Sequence, residues 1–515
     1  MKKGWPTWES VDRAAAACAK RKRSRPDAIV FRARYTEEVL DLCQRIRSGE
    51  YRPSSGTVFV TDRPKTREIH ASHYRDRVVH HLLHDLIEPH FEQSFIKDSY
   101  ACRKGKGSHA AVEALQKHMQ RATCYGKIRA YALHLDIRSF FFSIHKPTLL
   151  AILESKQWFR EQAELRHLTT LVINHPTALH AKPLGPPSSF ERIPPLKRLG
   201  ALGEDRGLPI GNLTSQLFAN IYLDVLDQMI KRTLGAQYYV RYSDDLVLLH
   251  RDADQLASWK QQIIEFLQQR LKLETHEKAP IHPVSEGVDF VGYVIRPAYK
   301  LCRARVIRHA HQRITELEKP LHPEEREGYQ FWRVRHKDIE ALRACWASYA
   351  GHLKHASAYR VAQKLLKRHP ISQFYLRFEI AKHGISVARR FALPKIESCW
   401  NHQIHSLHQS VSKPALRSAE GSAVLLVQVG RYAECPLQKD AERLELRRGL
   451  PWRRLPEIID RAVQKGLKVA VAVEFKKCTG RIRARYLAYW VEPVARPVLL
   501  SEGSPKAVQL EFGFS

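Results

Sequence analysis

The spacing of apolar and polar positions changes character several times along the chain. From about residue 27 to 125 apolar positions recur at helical intervals, broken by a strand-like run at 56–60 and a basic, glycine-rich loop at 103–108. Residues 129–137 alternate with period two, which predicts a strand ending near Asp136, and a helix is expected from about Lys146. Prolines at 176, 183, 186, 187, 194 and 195 mark 175–206 as a long surface insertion. Residues 215–234 read as an amphipathic helix. Two short apolar runs, 237–242 and 246–250, then flank Ser243-Asp244-Asp245, which predicts a hairpin with two carboxylates at its tip.

Helical periodicity returns over 305–390, interrupted by a charged loop around 320–328, and the polar stretch 401–422 reads as a linker. Beyond it lie an apolar strand at 424–429, a helix at 453–465 and a second apolar strand at 467–473. No internal repeat is evident.

Charge changes the picture more than composition does. Eighty-five Lys and Arg face 53 Asp and Glu, a formal charge of +32, so the surface concentrates polyanions and nucleic acid is the leading partner. The nine cysteines are scattered without a C-x-x-C pair, which points to neither a zinc site nor a disulfide framework and fits a reducing cytosol. No run of about 18 apolar residues suggests a membrane span. A cytoplasmic, nucleoid-associated protein of a prokaryote is expected, with no membrane partner.

Asp136, Asp244 and Asp245 are the candidate chemistry. An Asp-Asp pair in a turn is by itself ordinary turn composition. If the strand ending at Asp136 lies beside the hairpin, however, three hard oxygen ligands converge. Such a set suits two magnesium ions roughly 3.5–4 Å apart, as nucleotidyl transfer requires.

Around these carboxylates the chain resembles the reverse transcriptases over roughly residues 30–390. The motifs that carry the resemblance occur in order: Lys65-Thr66-Arg67-Glu68-Ile69, Arg75-Asp76-Arg77, the run from Ser99 through Arg103, Lys104 and Lys106 to Gly107, Leu135-Asp136-Ile137-Arg138-Ser139-Phe140-Phe141, the segment from Gly207 to Gln216, Tyr242-Ser243-Asp244-Asp245, Lys278, and Phe290-Val291-Gly292-Tyr293. The resemblance implies an α+β right-hand polymerase with fingers, a palm built on an antiparallel sheet, and a helical thumb, followed by a small C-terminal α/β domain. The divisions expected are N-terminal segment and fingers 1–128, palm 129–300, thumb 301–400, linker 401–422 and C-terminal module 423–515.

It further implies RNA-directed DNA polymerase activity with two Mg2+ ions, Mn2+ being a substitute, held by Asp136, Asp244, Asp245 and the backbone of Ile137. Lys65, Arg67 and Lys278 would meet the triphosphate, Phe141 would exclude a 2′-hydroxyl, and Gln216 would lie at the nucleotide. Phe290, Gly292 and Tyr293 would grip the primer, and Arg75, Arg77, Arg103, Lys104 and Lys106 would contact nucleic acid.

Ile210-Gly211 and Ser215-Gln216 stand where most intron- and retron-type enzymes have Gln-Gly and Ser-Pro. This resembles the enzymes of diversity-generating retroelements, which copy a template repeat RNA with errors opposite adenine. Ile210 in place of a polar Gln would remove hydrogen bonds that check the nascent pair, making Ile210 and Gln216 the fidelity candidates. An antiviral defence or other prokaryotic retron-like reverse transcriptase, or a nucleic-acid-binding protein that keeps the fold without turnover, are the alternatives.

Residues 423–495 are similar to the N-terminal mismatch-recognition domain of the repair protein MutS. Tyr432 and Glu434 stand in the places of its aromatic wedge and its base-contacting Glu. Mismatch sensing and general docking of nucleic acid or an accessory variability protein both remain open for this module. The implied partners are template RNA, the cDNA primer–template duplex and dNTPs.

Overall fold

The computed structural model describes residues 5–20, 25–62, 65–276, 279–326, 328–381, 384–391, 400–412, 423–446, 449–474 and 485–493. The chain divides into two compact units, Met1–Tyr299 and Lys300–Ser515, and the fold class is α+β, as expected. No described helix is long and apolar enough to cross a membrane.

The first unit is organised by two sheets. Strands β1 (Thr57–Thr61) and β2 (Arg67–Ala71) form an antiparallel hairpin. The second sheet contains β3 (Tyr131–Asp136). The proline-rich insertion is more ordered than its composition suggested, because its strand β4 (Lys182–Leu184) pairs parallel to β1. Prolines break helices but are tolerated on a sheet edge, which is where β4 lies.

Strands β5 (Tyr238–Tyr242), β6 (Asp245–His250) and β7 (Ile281–Pro283) join β3 in the order β5-β6-β3-β7. In β6 the four residues Leu246 to Leu249 are all buried, so this sheet is covered on both faces; that explains why the sequence shows an apolar run there instead of an alternation.

Helix Leu213–Gln228 is buried nearly all round, an arrangement that only a central helix tolerates. Helix Ala253–Leu271 is amphipathic, with Leu256, Trp259, Ile263, Leu267 and Leu271 forming its buried stripe. Asp252 caps it by accepting from the Asp254 amide at 2.9 Å. A short hairpin of β8 (Val288–Phe290) and β9 (Tyr293–Ile295) closes the unit.

The second unit opens with β10 (Lys300–Cys302) and helix Ala304–Glu318. It continues with β11 (Glu324–Arg326), β12 (Tyr329–Arg333), helices His336–Leu353 and Tyr359–Lys367, and the hairpin of β13 (Leu376–Ala381) with β14 (Gly384–Arg389). The stretch expected as a linker begins as helix Trp400–Ser412, with Ile404, Leu407 and Val411 buried in the core; 413–422 lies outside the described residues.

Strands β15 (Val424–Val429), β16 (Tyr432–Glu434), β17 (Leu450–Pro451), β18 (Val469–Glu474) and β19 (Arg485–Pro493) complete a seven-stranded sheet of order β11-β12-β19-β18-β15-β16-β17. β15 and β18 run parallel, with helix Leu455–Gln464 on the connection between them. Two strands from within 301–400 therefore extend the sheet of the C-terminal segment, a union that local periodicity could not reveal because Phe331 and Trp332 pair with Val491 and Trp490.

Candidate active site

β3 and β6 run antiparallel in a register that sets Asp136 opposite Asp245. On the other side of β6, Tyr242 pairs with Asp245, leaving Ser243 and Asp244 as the two-residue turn. Ser243 has φ +57°, a left-handed conformation usually occupied by glycine or asparagine in such turns. A non-glycine residue there stores on the order of 1–3 kcal/mol of strain, which the surroundings must hold in place.

Fully buried Arg241 supplies that restraint. Its guanidinium donates to both Asp227 carboxylate oxygens at 2.7–2.9 Å, to Ser99 Oγ at 2.9 Å and to Asn220 Oδ1 at 3.2 Å. Its Nη1 also donates to the Ser243 carbonyl at 3.2 Å, one residue before Asp244. The Ile137 amide donates to the Asp244 carbonyl at 3.3 Å, tying the turn to the end of β3. The Ile137 side chain is buried, so its backbone carbonyl is the atom it can offer a cation.

The carboxylates are poised against one another. Burial pushes the Asp136 carboxyl above its usual range and Asp245 adds to this, while His276, Lys65 and His134 pull it back. Burial likewise raises Asp244, its own backbone hydrogen bond opposes the rise, and Asp136 and Asp245 add repulsion. Asp136 and Asp244, each disfavoured as a charge by burial and by its acidic neighbours, are hard oxygen donors that suit a small divalent cation. Among the described residues, no three His, Cys, Asp or Glu side chains are grouped so as to hold a metal ion by themselves.

Two histidines absent from the sequence reading flank the cluster. His134 Nε2 lies 2.5 Å from Asp245 Oδ1, and His276 Nε2 lies 3.9 Å from Asp136 Oδ2. His134 was legible in principle, since it shares a strand face with Asp136 two residues on. His276 was not, because its place depends on the bridge between Ile137 and Thr275.

Residues 61–295 match the family model described as reverse transcriptase (RNA-dependent DNA polymerase). The chain carries a reverse transcriptase domain. An uncharacterized 91 kDa protein in a cob intron of Schizosaccharomyces pombe is 25% identical over 203 residues, covering 38% of this chain and 21% of that protein. The chain thus spans about a fifth of that relative's length. A solved structure of apo telomerase from Candida tropicalis, truncated from the C-terminal domain, aligns with TM-score 0.33 and 11% identity over 47% of this chain and 53% of that one.

Within the reverse transcriptase domain, Lys65 and Arg67 are exposed at the β1–β2 turn, and Lys65 is close enough for its charge to lower the Asp136 carboxyl. Phe141 is half-buried against Phe140, with ring centroids 5.5 Å apart, and its carbonyl accepts from the Leu208 amide at 2.7 Å. Two residues on, the Ile210 carbonyl accepts from the His70 amide of β2 at 2.8 Å. Gly211 has φ +131°, and a Cβ there would stand 2.3 Å from the His70 carbonyl oxygen, so glycine alone fits this crossing.

The loop is pinned further by Ser72 Oγ donating to Asn212 Oδ1 at 2.7 Å and by His80 Nδ1 at 2.8 Å from Thr214 Oγ1. Gln216 is exposed in a helix turn where Thr214, Ser215 and Leu217 are buried. The loop with Ile210 thus joins the β2 strand to the segment bearing Phe141.

Other expected contacts sit differently. The Phe290 and Tyr293 side chains are fully buried, and the turn between them presents Val291 (φ +46°) and Gly292 (φ +89°) instead. Arg75 pairs with Glu38 at 3.1 Å and with Asp41, and Arg77 lies 3.3 Å from Asp27. Arg103 is nearly buried, bidentate to Glu92 at 2.8–3.0 Å and bonded to the Ile96 and Ser99 carbonyls. The carboxylate partners of these arginines come from other segments of the chain, which the motifs carrying the resemblance do not reveal. Lys104 is exposed, and the Lys106 ammonium sits over the Tyr100 ring and donates to the Lys97 carbonyl. Lys278 lies outside the described residues. In the second unit Tyr432 is 53% exposed, and Glu434 follows on the same strand face.

Proposed function

We propose that the chain is an RNA-directed DNA polymerase of the diversity-generating type, extending a DNA primer on a template repeat RNA. The observation that carries the polymerase reading is the opposition of Asp136 and Asp245 across β3 and β6, with Asp244 in the adjoining turn, inside the segment that matches the reverse transcriptase model. Asp136 and Asp244 would hold two Mg2+ ions, or Mn2+ in their place, with Asp245 and the Ile137 carbonyl in support. The chemistry such ions supply is activation of the primer 3′-hydroxyl and neutralisation of the triphosphate.

The chain's own groups account for the rest. Lys65 and Arg67 grip phosphate oxygens from the β1–β2 turn. Phe141 stands against the sugar and leaves no room for a 2′-hydroxyl. Gln216 faces the nucleotide from its exposed place on the helix, and Ile210 offers no side-chain hydrogen bond to a nascent pair, which is the basis for the error-prone reading. The C-terminal module with Tyr432 and Glu434 would dock the product heteroduplex or take the place of an accessory variability protein.

Primer extension on a defined RNA with magnesium tests this, run beside Asp244→Asn with products sequenced. Loss of extension in the variant is expected, together with wild-type errors concentrated opposite template adenine and reduced in Ile210→Gln. Extension that is accurate would keep the polymerase and favour a defence role. Extension that survives Asp244→Asn would overturn the site.

A further inference from the structure

We propose that His134 is a positioning residue that holds Asp245 in the orientation needed to share a divalent cation with Asp136 and Asp244; this rests on the polymerase reading above. His134 and Asp136 face the same side of β3, and the strand register places Val247 directly across from His134, with Asp245 on the diagonal. Diagonal neighbours in an antiparallel pair are within reach of a long side chain. The imidazole makes that reach, with Nε2 2.5 Å from Asp245 Oδ1.

An ionised carboxylate only accepts, so His134 must donate through Nε2–H, which the neutral ring can do. The bond occupies one oxygen of Asp245 and leaves the other for a cation. It also removes side-chain freedom that metal binding would otherwise have to restrict. His276, at 3.9 Å from Asp136, is too far to fix its neighbour in this way.

Partners that orient a metal ligand are typically worth about 10–100-fold in metal affinity. The test titrates the full chain with Mn2+ alone and follows the free ion by electron paramagnetic resonance, comparing wild type, His134→Phe, His134→Gln and Asp244→Asn.

His134→Phe is expected to weaken Mn2+ binding by about 10–100-fold. His134→Gln, which keeps an N–H donor, should restore most of it. In primer extension the half-saturating Mg2+ concentration should rise in parallel for His134→Phe, while kcat at saturating Mg2+ recovers. Unchanged Mn2+ affinity in His134→Phe would overturn the proposal. If that variant fails to fold, a folded His134→Ala with wild-type Mn2+ affinity would overturn it as well. Equal Mn2+ binding by wild type and Asp244→Asn would instead overturn the carboxylate assignment, and the proposal with it.

Discussion

Asp224 shows how a single carboxyl can oppose the fold that contains it. It is buried in helix Leu213–Gln228, and burial pushes its carboxyl up to about 6, although Gln228 Nε2 donates to it at 2.9 Å. The folded state therefore binds a proton that the unfolded chain has released, and stability falls as pH rises from about 4 through about 6. The loss is about 3 kcal/mol once the group ionises. Asp224→Asn, which keeps the acceptor for Gln228, should raise stability by roughly 2–3 kcal/mol at pH 7.5 and by almost nothing near pH 4. Denaturant titration at the two pH values checks this, and an equal gain at both would contradict the assigned cause. At this scale the sequence marked Asp136, Asp244 and Asp245 correctly as neighbours. It could not show that Arg75, Arg77 and Arg103 spend their charge on Glu38, Asp41, Asp27 and Glu92, because pairing across segments leaves no local pattern.

Among the elements, the hairpin of β5 and β6 depends most on residues outside itself. Arg241 and Asp227 are both fully buried, and removing one member of such a pair strands the other. Arg241→Met should cost about 3–5 kcal/mol of stability, whereas Arg241→Met with Asp227→Leu should recover much of it. Turnover should remain low in both, because neither retains the donor to the Ser243 carbonyl that steadies the turn before Asp244. Chemical denaturation with parallel primer extension separates the two effects; a double variant that regained activity would show that the tether is dispensable. The strands themselves were legible, since alternation at 129–137 and the paired apolar runs at 237–250 are strong short-range signals. Their anchor was not, since an arginine inside an apolar strand looks from sequence like a solvent-facing residue until Asp227 and Asn220 from the preceding helix are placed beside it.

At the scale of the whole molecule, the charge of +32 makes affinity for polyanions a property of the surface at large, so discrimination must come from shaped sites. Tyr432 is the exposed aromatic best suited to that in the second unit. If the module senses mispairs through Tyr432, Tyr432→Ala should leave binding to fully paired heteroduplex within about twofold while lowering preference for a mispaired one, since stacking on an exposed base is worth roughly 1–3 kcal/mol. Competition binding with matched and mismatched duplexes measures it, and an unaltered preference would leave docking, as proposed above, as the module's role.

The seven-stranded sheet carries a different consequence. β12 ends at Arg333, and although β11 covers one of its edges, the other waits for β19, which begins at Arg485, before Phe331 and Trp332 meet Val491 and Trp490. During synthesis the ribosome must therefore deliver about 150 further residues before that edge is covered. Over that stretch of elongation the nascent chain carries an open strand edge with two large aromatic side chains, a template for wrong pairing that chaperone protection or slow expression would guard against.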